Sequence, residues 1–446
     1  MLKKEDFIIE EKEGKYYILY KKTLALKKLD HENYSRFESI ITDLDYISLE
    51  ENLKLEENID KIFKNNIKYK VRNMIDDRKL SKLEFILNNT CNLSCRYCYA
   101  NGGNYKQAQN RINPEQAELY LGKLFPKIFD DVDLVMFFGG EPLISFPTIV
   151  SIVNKFKELY KKSYVKKIPK YTIVTNGTLI DEKIAKYFHD ENVQVTVSID
   201  GNDLVHNYLR PFKDGSPSFE RVDRGISLLN KYKVNIGILE VTYTTYHENK
   251  NIKKSEIEKF LKDRYGDVKV YIANCSGDSE FAISSNKVST KDIVYDKNIK
   301  LLILRKLLGK SNSFESCDAG KGSFAISQDG KIVPCHFFIG ESKYIMGNMS
   351  SDDIFDSGTD YVRNKFDNLK ESIGAQCSSC WIKDLCAECP ASILVYRKDN
   401  ILKTCENKRI KIEYLIRDLI KKGEVGWWRS IFSDIRKIWF CRLFLV

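Results

Sequence analysis

Between residues 81 and 275 short apolar runs alternate with amphipathic helical stretches, and this alternation constrains the fold more than any other feature of the chain. The runs are Leu83–Leu87, Leu134–Phe138, Tyr171–Val174, Val193–Ile199, Ile236–Tyr243 and Val268–Ile272; between them lie helical patterns such as Pro114–Phe125, Thr148–Leu159 and Asp181–Phe188. Strand–helix repetition of this kind predicts a parallel α/β sheet. In closed barrels of that class, chemistry sits at the C-terminal ends of the strands.

The loop after the first run reads Cys91-Asn-Leu-Ser-Cys95-Arg-Tyr-Cys98, a C-x3-C-x2-C triplet. Three thiolates can hold a four-iron, four-sulfur cluster, which commonly takes four Cys ligands. Three ligands leave one iron open, and an open coordination site is what metal chemistry on a substrate requires. Structural zinc is the competing explanation, but zinc usually takes four ligands in paired C-x2-C or C/H arrangements, and no His lies near this triplet. In this triplet the chain resembles the radical S-adenosylmethionine (SAM) enzymes. The resemblance implies a partial (β/α)6 TIM-like barrel, a [4Fe-4S] cluster on Cys91, Cys95 and Cys98, and SAM on the open iron. It also implies one-electron reduction of SAM to a 5′-deoxyadenosyl radical that abstracts hydrogen.

Other strand ends carry the same resemblance. Gly139-Gly140-Glu141-Pro142 follows the second run, and in the family such a segment grips the SAM amino group. Glycines there let backbone approach a ligand closely. Thr175-Asn176-Gly177-Thr178 and Ser198-Ile199-Asp200-Gly201 end the third and fourth runs. By resemblance Ser198 contacts SAM, Asp200 lies near the ribose or substrate, and Tyr97 packs by the adenine. Arg210 corresponds to the Arg that pairs with the SAM carboxylate, a role suited to a bidentate bond. A strand-end turn or surface ion pair is the plain alternative for each. Cys275, outside any spacing pattern, is expected to be a small buried apolar residue.

A second cysteine array follows. Cys317 and Cys335 flank Gly330 in C-x12-G-x4-C; Cys377, Cys380, Cys386 and Cys389 stand in C-S-S-C-W-I-K-D-L-C-A-E-C, with Cys405 beyond. The array resembles the SPASM extension of radical SAM proteins, which binds two auxiliary iron–sulfur clusters. The resemblance assigns Cys317, Cys335 and Cys389 to the first, its fourth ligand open, and Cys377, Cys380, Cys386 and Cys405 to the second. The family usually has C-x3-C where this chain has C-x2-C at Cys386 and Cys389, which puts the division of those two in doubt. Taken alone, the array could also bind zinc. The finer pattern C-x2-C-W-x4-C-x2-C-x-A looks most like maturases of cysteine-rich ribosomal peptides, which form thioethers from Cys.

Residues 1–80 pair strand-like runs, Phe7–Ile9 and Tyr16–Tyr20, with helical stretches around Glu32–Leu44 and Asn58–Phe63, and Arg72–Leu80 has the charge of a linker. This arrangement resembles the winged-helix precursor-recognition module that often precedes peptide-modifying radical SAM enzymes; an extension packed on the barrel is the alternative. The expected domains are thus residues 1–80, a barrel at 81–300, a SPASM domain at 301–410 and a tail at 411–446. Within Gly426–Val446, Trp428, Ile431, Phe432, Ile435, Ile438 and Trp439 share one helical face opposite Arg429, Arg436 and Lys437, a pattern for a membrane interface, a partner groove or the protein's own surface.

The net charge of +10 is mild for 446 residues, and +6 of it sits in residues 402–446, so nothing argues for nucleic acid as a partner. No apolar signal-type segment follows Met1, no stretch is long and apolar enough to span a membrane, and the clustered Cys favour metal ligation over disulfides. The expectation is a cytoplasmic enzyme, with peripheral membrane attachment as a variant. Its partners would be a Cys-rich precursor peptide with a leader, and a flavodoxin or ferredoxin as electron donor. The expected activity is a peptide maturase forming a thioether. The alternatives are an anaerobic sulfatase-maturating (formylglycine-generating) enzyme, a carbon–carbon crosslinking maturase, or a non-catalytic zinc or iron–sulfur binding protein.

Overall fold

The computed structural model describes residues 1–46, 48–63, 78–275, 279–283, 303, 317–368, 377, 379–383, 385–386, 389–391, 394–395 and 401–422. The expected amphipathic tail, Gly426–Val446, lies outside them. They fall into two compact units, one drawn from Met1–Arg72, Ser284–Cys317 and Asn368–Val446, the other from Asn73–Ile283 and Asp318–Asp367. Neither unit is continuous in sequence, and no unit boundary falls at residue 300.

The larger unit is built on a nine-stranded sheet. Its elements in chain order begin with β4 (Lys79–Ile86), α3 (Pro114–Leu124), β5 (Asp131–Phe138), α4 (Phe146–Lys161), β6 (Lys170–Thr175), α5 (Glu182–Asp190) and β7 (Val193–Ser198). Next come α6 (Asp203–Leu209), α7 (Phe219–Lys231), β8 (Ile236–Tyr243), α8 (Thr245–Asn249), α9 (Lys254–Tyr265) and β9 (Val270–Asn274). The set closes with β10 (Ser323–Ile326), β11 (Lys331–Val333), β12 (Gly347–Asn348) and α10 (Ser357–Asp367). The sheet order is β12-β11-β10-β4-β5-β6-β7-β8-β9. It is parallel from β10 to β9, with β11 and β12 antiparallel.

The expectation of a parallel α/β sheet holds, and the sheet is open, with β12 and β9 at its ends, as a partial barrel is. The six expected parallel strands are extended by three short strands from a distant segment. One difference is local: Lys79 and Leu80, placed in a linker by their charge context, belong to β4 and pair with Asp131 and Val132. Lys79 reaches this position by pairing with Asp133 at 3.0 Å, which satisfies its charge at the strand's start.

Helix starts follow from local chemistry. Asn113 caps α3, accepting from the Gln116 amide with Pro114 in the first turn; Asp181 caps α5 and Asn202 caps α6 in the same way. The register puts Leu83, Phe85, Val135, Phe137, Ile173, Val195 and Leu239 on one sheet face, all fully buried. Ile149, Ile152, Val153 and Phe156 of α4 are fully buried as well. The opposite face, which alternates with the first, carries Glu84, Met136, Thr172, Gln194, Ser198 and Glu240.

In the smaller unit, β1 (Phe7–Lys12), β2 (Lys15–Tyr20) and β3 (Ala25–Leu29) form an antiparallel meander, followed by α1 (His31–Thr42) and α2 (Leu49–Ile62). Glu13 and Gly14 both have positive φ, which is what a two-residue hairpin matching the strand twist requires. Phe7, Ile18 and Tyr20 pack with Phe37, Ile41, Ile59 and Phe63 on the helix side. Ile8 and Leu19, on the other face, pack with Ile382, Leu385, Leu415, Ile416 and Leu419. The last three belong to α11 (Ile401–Lys421), which Arg417 also ties to Glu10 at 2.8 Å. Among the described residues no helix is long and apolar enough to cross a membrane.

Candidate functional site

The loop after β4 is braced against the turn after β5. The Gly140 amide donates to Asn88 O at 3.0 Å and the Glu141 amide to Thr90 O at 2.8 Å. Asn88 Nδ2 returns the contact, donating to Glu141 O and Ser145 Oγ at 3.0 Å each. Space is tight enough to demand glycine: a Cβ on Gly139 would lie 2.5 Å from Asn88 O, and one on Gly103 would lie 2.9 Å from Cys91 Cβ. Gly139-Gly140-Glu141-Pro142 and the cysteine loop are therefore one packed piece.

The Glu141 carboxylate is buried and already accepts three hydrogen bonds, from the Leu143 amide (3.0 Å), Thr175 Oγ1 (2.7 Å) and the Asn176 amide (2.8 Å). About one of its roughly four acceptor positions remains. Burial pushes its pKa up in spite of these donors. The residue thus joins the ends of β5 and β6, a positioning role the motif alone did not disclose.

Cys91 Sγ accepts from the Leu93 amide at 3.4 Å and from Asn176 Nδ2 at 3.8 Å. Asn176 itself is held by Asn92 Oδ1 at 2.9 Å and by its own turn with Thr178. Burial, and then Glu141, push the Cys91 thiol up to about 11. Burial pushes Cys95 up to about 12, against the pull of Arg210. Metal ligation needs the thiolates, so loading this loop must expel protons. Cys91, Cys95 and Cys98 lie close enough for each pair to interact electrostatically. Among the described residues no three His, Cys, Asp or Glu side chains are arranged around a single ion.

Asp200, Tyr97 and Arg210 form one buried group. The Tyr97 hydroxyl donates to Asp200 Oδ2 and accepts from Arg210 Nη1 at 2.6 Å. Arg210 Nη1 stands 3.9 Å from Asp200. Two histidines fix this group from behind. His206 Nδ1 accepts from the Asp200 amide (3.3 Å), which leaves Nε2 to donate to Ser218 Oγ (3.1 Å), and that hydroxyl donates to Arg210 O. Burial holds His206 far below its ordinary pKa, so the ring is neutral. His247 Nε2 donates to Asp200 O at 3.0 Å. His206 opens the H-N-Y-L-R-P run that contains Arg210 and lies 6 residues from Asp200, whereas His247 lies 47 residues from Asp200 and only the fold pairs them. Arg210 Nε is buried without a hydrogen-bond partner among the described residues. An orphan guanidinium donor beside a glycine-lined loop and three thiols fits an anionic ligand group such as the SAM carboxylate.

Ser198, at the end of β7, is half-buried and stands in register with Glu240 of β8. Burial pushes Glu240 up, and its carbonyl accepts from the Ile199 amide at 2.8 Å. Glu84 is fully buried on the same face, paired with Lys82 at 2.5 Å and His336 Nδ1 at 3.0 Å. Cys275 is buried with Val205, Leu209 and Phe281, in line with its expected apolar role.

In the second array, Gly330 has φ +82° in the β10–β11 turn, so the glycine of C-x12-G-x4-C serves that hairpin. Cys335 follows β11 and is buried, and Cys317 is half-buried. Burial raises the pKa of Cys405, on α11, and Cys377, Cys386 and Cys380 interact with it electrostatically in the same direction.

Two family models match the chain: the radical SAM superfamily over residues 85–261 and SPASM, an iron-sulfur cluster-binding domain, over 317–381. The chain carries a radical SAM domain and a SPASM domain. Among curated relatives, protein MJ0907 of Methanocaldococcus jannaschii is 36% identical over 42% of this chain and 59% of its own length, so the match spans less than two thirds of that relative. A cysteine-type anaerobic sulfatase-maturating enzyme of Clostridium perfringens is 27% identical over 74% of this chain and 94% of its own. The radical SAM cyclopropyl synthase TigE of Paramaledivibacter caminithermalis is 25% identical over 81% of this chain and 78% of its own. The fold is like that of anSMEcpe solved with bound AdoMet: TM-score 0.62, 21% identity, 80% of this chain and 97% of that one. The two domains imply a [4Fe-4S] cluster, SAM and auxiliary iron–sulfur clusters, and this chain is an enzyme of the radical SAM class.

Proposed function

We propose that this radical SAM/SPASM enzyme is a peptide maturase that forms a thioether from a Cys of a ribosomally made precursor. The observation that carries the radical SAM part is the single packed piece made by the cysteine loop and Gly139–Pro142, with the orphan donor of Arg210 beside it. Cys91, Cys95 and Cys98 would hold the cluster, while Gly139, Gly140, Glu141, Pro142, Ser198, Asp200, Tyr97 and Arg210 would bind and orient SAM. When bound, the two together supply a 5′-deoxyadenosyl radical that abstracts hydrogen. The chain's own part is to hold, orient and keep water out. Cys317, Cys335 and Cys389 are assigned to one auxiliary cluster, and Cys377, Cys380, Cys386 and Cys405 to the other. A flavodoxin or ferredoxin is the proposed electron donor, and an oxygen-poor cytoplasm the proposed setting.

Support for a peptide substrate comes from the N-terminal meander followed by two helices, whose sheet ends in β1 and β3. An extended leader could add to such an edge as a further strand. A neighbouring sulfatase maturase was solved with a peptide bound, which favours a peptide for this fold as well. The sulfatase-maturating relatives keep formylglycine formation as a second reading, and TigE keeps carbon–carbon bond formation.

The test is anaerobic reconstitution with iron and sulfide, followed by dithionite, SAM and a Cys-rich precursor peptide. About twelve irons per chain fits three four-iron clusters, and 5′-deoxyadenosine should form. Thioether formation removes two hydrogens and blocks alkylation of the Cys. Formylglycine formation expels the sulfur, and a carbon–carbon bond leaves the thiol open to alkylation. Zinc in place of iron, with SAM intact, would overturn the enzyme reading.

A further inference from the structure

We propose that Arg409 raises the reduction potential of the auxiliary cluster assigned to Cys377, Cys380, Cys386 and Cys405, acting through the Cys380 sulfur. The inference rests on the iron–sulfur reading of that array and goes beyond it to a residue that no cysteine spacing marks. Arg409 Nε donates to Cys380 Sγ at 3.5 Å. It sits on α11 one turn after Cys405, so the helix that supplies one thiol also aims a permanent cation at another. Lys408, on the same turn, interacts with Cys386, and burial lowers its pKa. Lys21 stacks over the Trp381 ring at 5.2 Å, beside Cys380. Two nearby acids offset part of this charge. Glu406 is exposed beside Arg409, and Glu413 pairs with Lys21 at 3.0 Å. Among these described residues the cations, Arg409, Lys408 and Lys21, outnumber the acids, Glu406 and Glu413.

The loop of Cys91 is different in kind. Among the described residues its sulfur accepts from neutral donors, the Leu93 amide and the Asn176 amide group, while Glu141 adds negative charge nearby that Arg210 offsets in part. Reduction adds an electron to a cluster that already carries thiolate charge. Cations and hydrogen bonds at the sulfurs stabilise the reduced state and raise the potential. Arg409 therefore separates this cluster's potential from that of a cluster ligated by Cys91.

The experiment uses the full chain, purified and reconstituted without oxygen, with iron counted and each cluster's midpoint followed by electron paramagnetic resonance during a redox titration. Loss of a signal in C405S assigns the cluster of this array, and loss in C91A assigns the other. In R409Q, iron stays at the wild-type level while the array's midpoint falls by tenfold or more in the one-electron equilibrium, about 59 mV per tenfold; the other midpoint holds. R409K keeps the charge without the planar fork and falls between the two. Full iron with an unmoved midpoint in R409Q would overturn the proposal. Loss of iron in both variants would overturn it too, because Arg409 would then hold the loop rather than tune the cluster. Equal iron in wild type and C405S would instead defeat the iron–sulfur reading of the array.

Discussion

Replacing Gly139 by alanine tests whether the cysteine loop and the turn after β5 are one piece. A Cβ there would lie 2.5 Å from Asn88 O, whereas real Cβ contacts begin near 3.0 Å and are ordinary beyond 3.4 Å. The Asn88 backbone must therefore retreat by about 0.5–0.9 Å, since nothing flexible lies in the way. A retreat of that size stretches the 3.0 Å bond from the Gly140 amide to Asn88 O toward about 3.5–3.9 Å, past the useful range. Losing a buried backbone bond costs about 1–3 kcal/mol. Gly139 also has φ +152°, and strain from a side chain there adds about 1–3 kcal/mol. The sum is roughly 2–6 kcal/mol by these two terms. Because Cys91 lies three residues after Asn88, the shift reaches the thiols, and a misplacement near 1 Å can cost on the order of a hundredfold in rate. The assay pairs urea unfolding followed by circular dichroism with the rate of 5′-deoxyadenosine formation at equal iron content. Gly122→Ala is the control: Gly122 lies in α3 with nothing within 4 Å of its added Cβ, so alanine should stabilise by about 0.5–1 kcal/mol. A G139A protein within 0.5 kcal/mol of wild type and fully active would refute the packing argument.

Three further outcomes are expected. Cys91→Ala abolishes 5′-deoxyadenosine formation, and continued product would remove Cys91 from the cluster site. Arg210→Lys loses the planar fork and weakens SAM binding in equilibrium dialysis by about tenfold or more, one charge-assisted hydrogen bond's worth, with iron content unchanged; unchanged affinity would dismiss Arg210 as the carboxylate partner. Asp223, held bidentately by Arg264 at 2.6 and 2.8 Å, has its pKa lowered, first by that hydrogen bond, from 3.8. Its folded value lies below its unfolded one, so its stabilisation is present above pH 3.8 and lost as pH falls through the folded value. Asp223→Asn should cost about 1 kcal/mol at pH 7, because Arg264 is partly exposed and screened. The gap should close below about pH 4 in urea midpoints, and a gap that stays constant would rule the ion pair out as its source.

The central strands were legible from their own residues: Leu134–Phe138 is apolar throughout, and a run of that kind needs no partner to be recognised. The edges were not. Strands β10, β11 and β12 have four, three and two residues, too few to show a period, and β10 finds its partner β4 across most of the chain. β3, Ala-Leu-Lys-Lys-Leu, has two exposed lysines and lacks a strand's usual composition. At the site, spacing disclosed the thiols, since metal ligation fixes residue type and interval together. It could not disclose what orients them. Asn176 holding Cys91, His247 holding Asp200, and Arg409 reaching Cys380 are contacts between distant segments, and their residue types have many ordinary uses. Glu84 is the extreme case: a charge in mid-strand argues against burial until His336 arrives from about 250 residues away.

The pairing of β4 with β10 also sets an order of events during synthesis. The strand that leads into the thiol loop has β5 on one side within about 50 residues, but Ile326, which aligns with Phe85, leaves the ribosome about 240 residues later. At about 5–20 residues per second that is roughly 12–48 s. Throughout this interval the newborn chain carries its three thiols in a loop after a strand whose second edge has no partner, and open edges of this kind invite pairing with other chains. A fragment cut after residue 283 would keep that edge open permanently. The last strands to be made therefore seal the strand that leads to the metal, and iron delivered before they arrive meets a half-covered site.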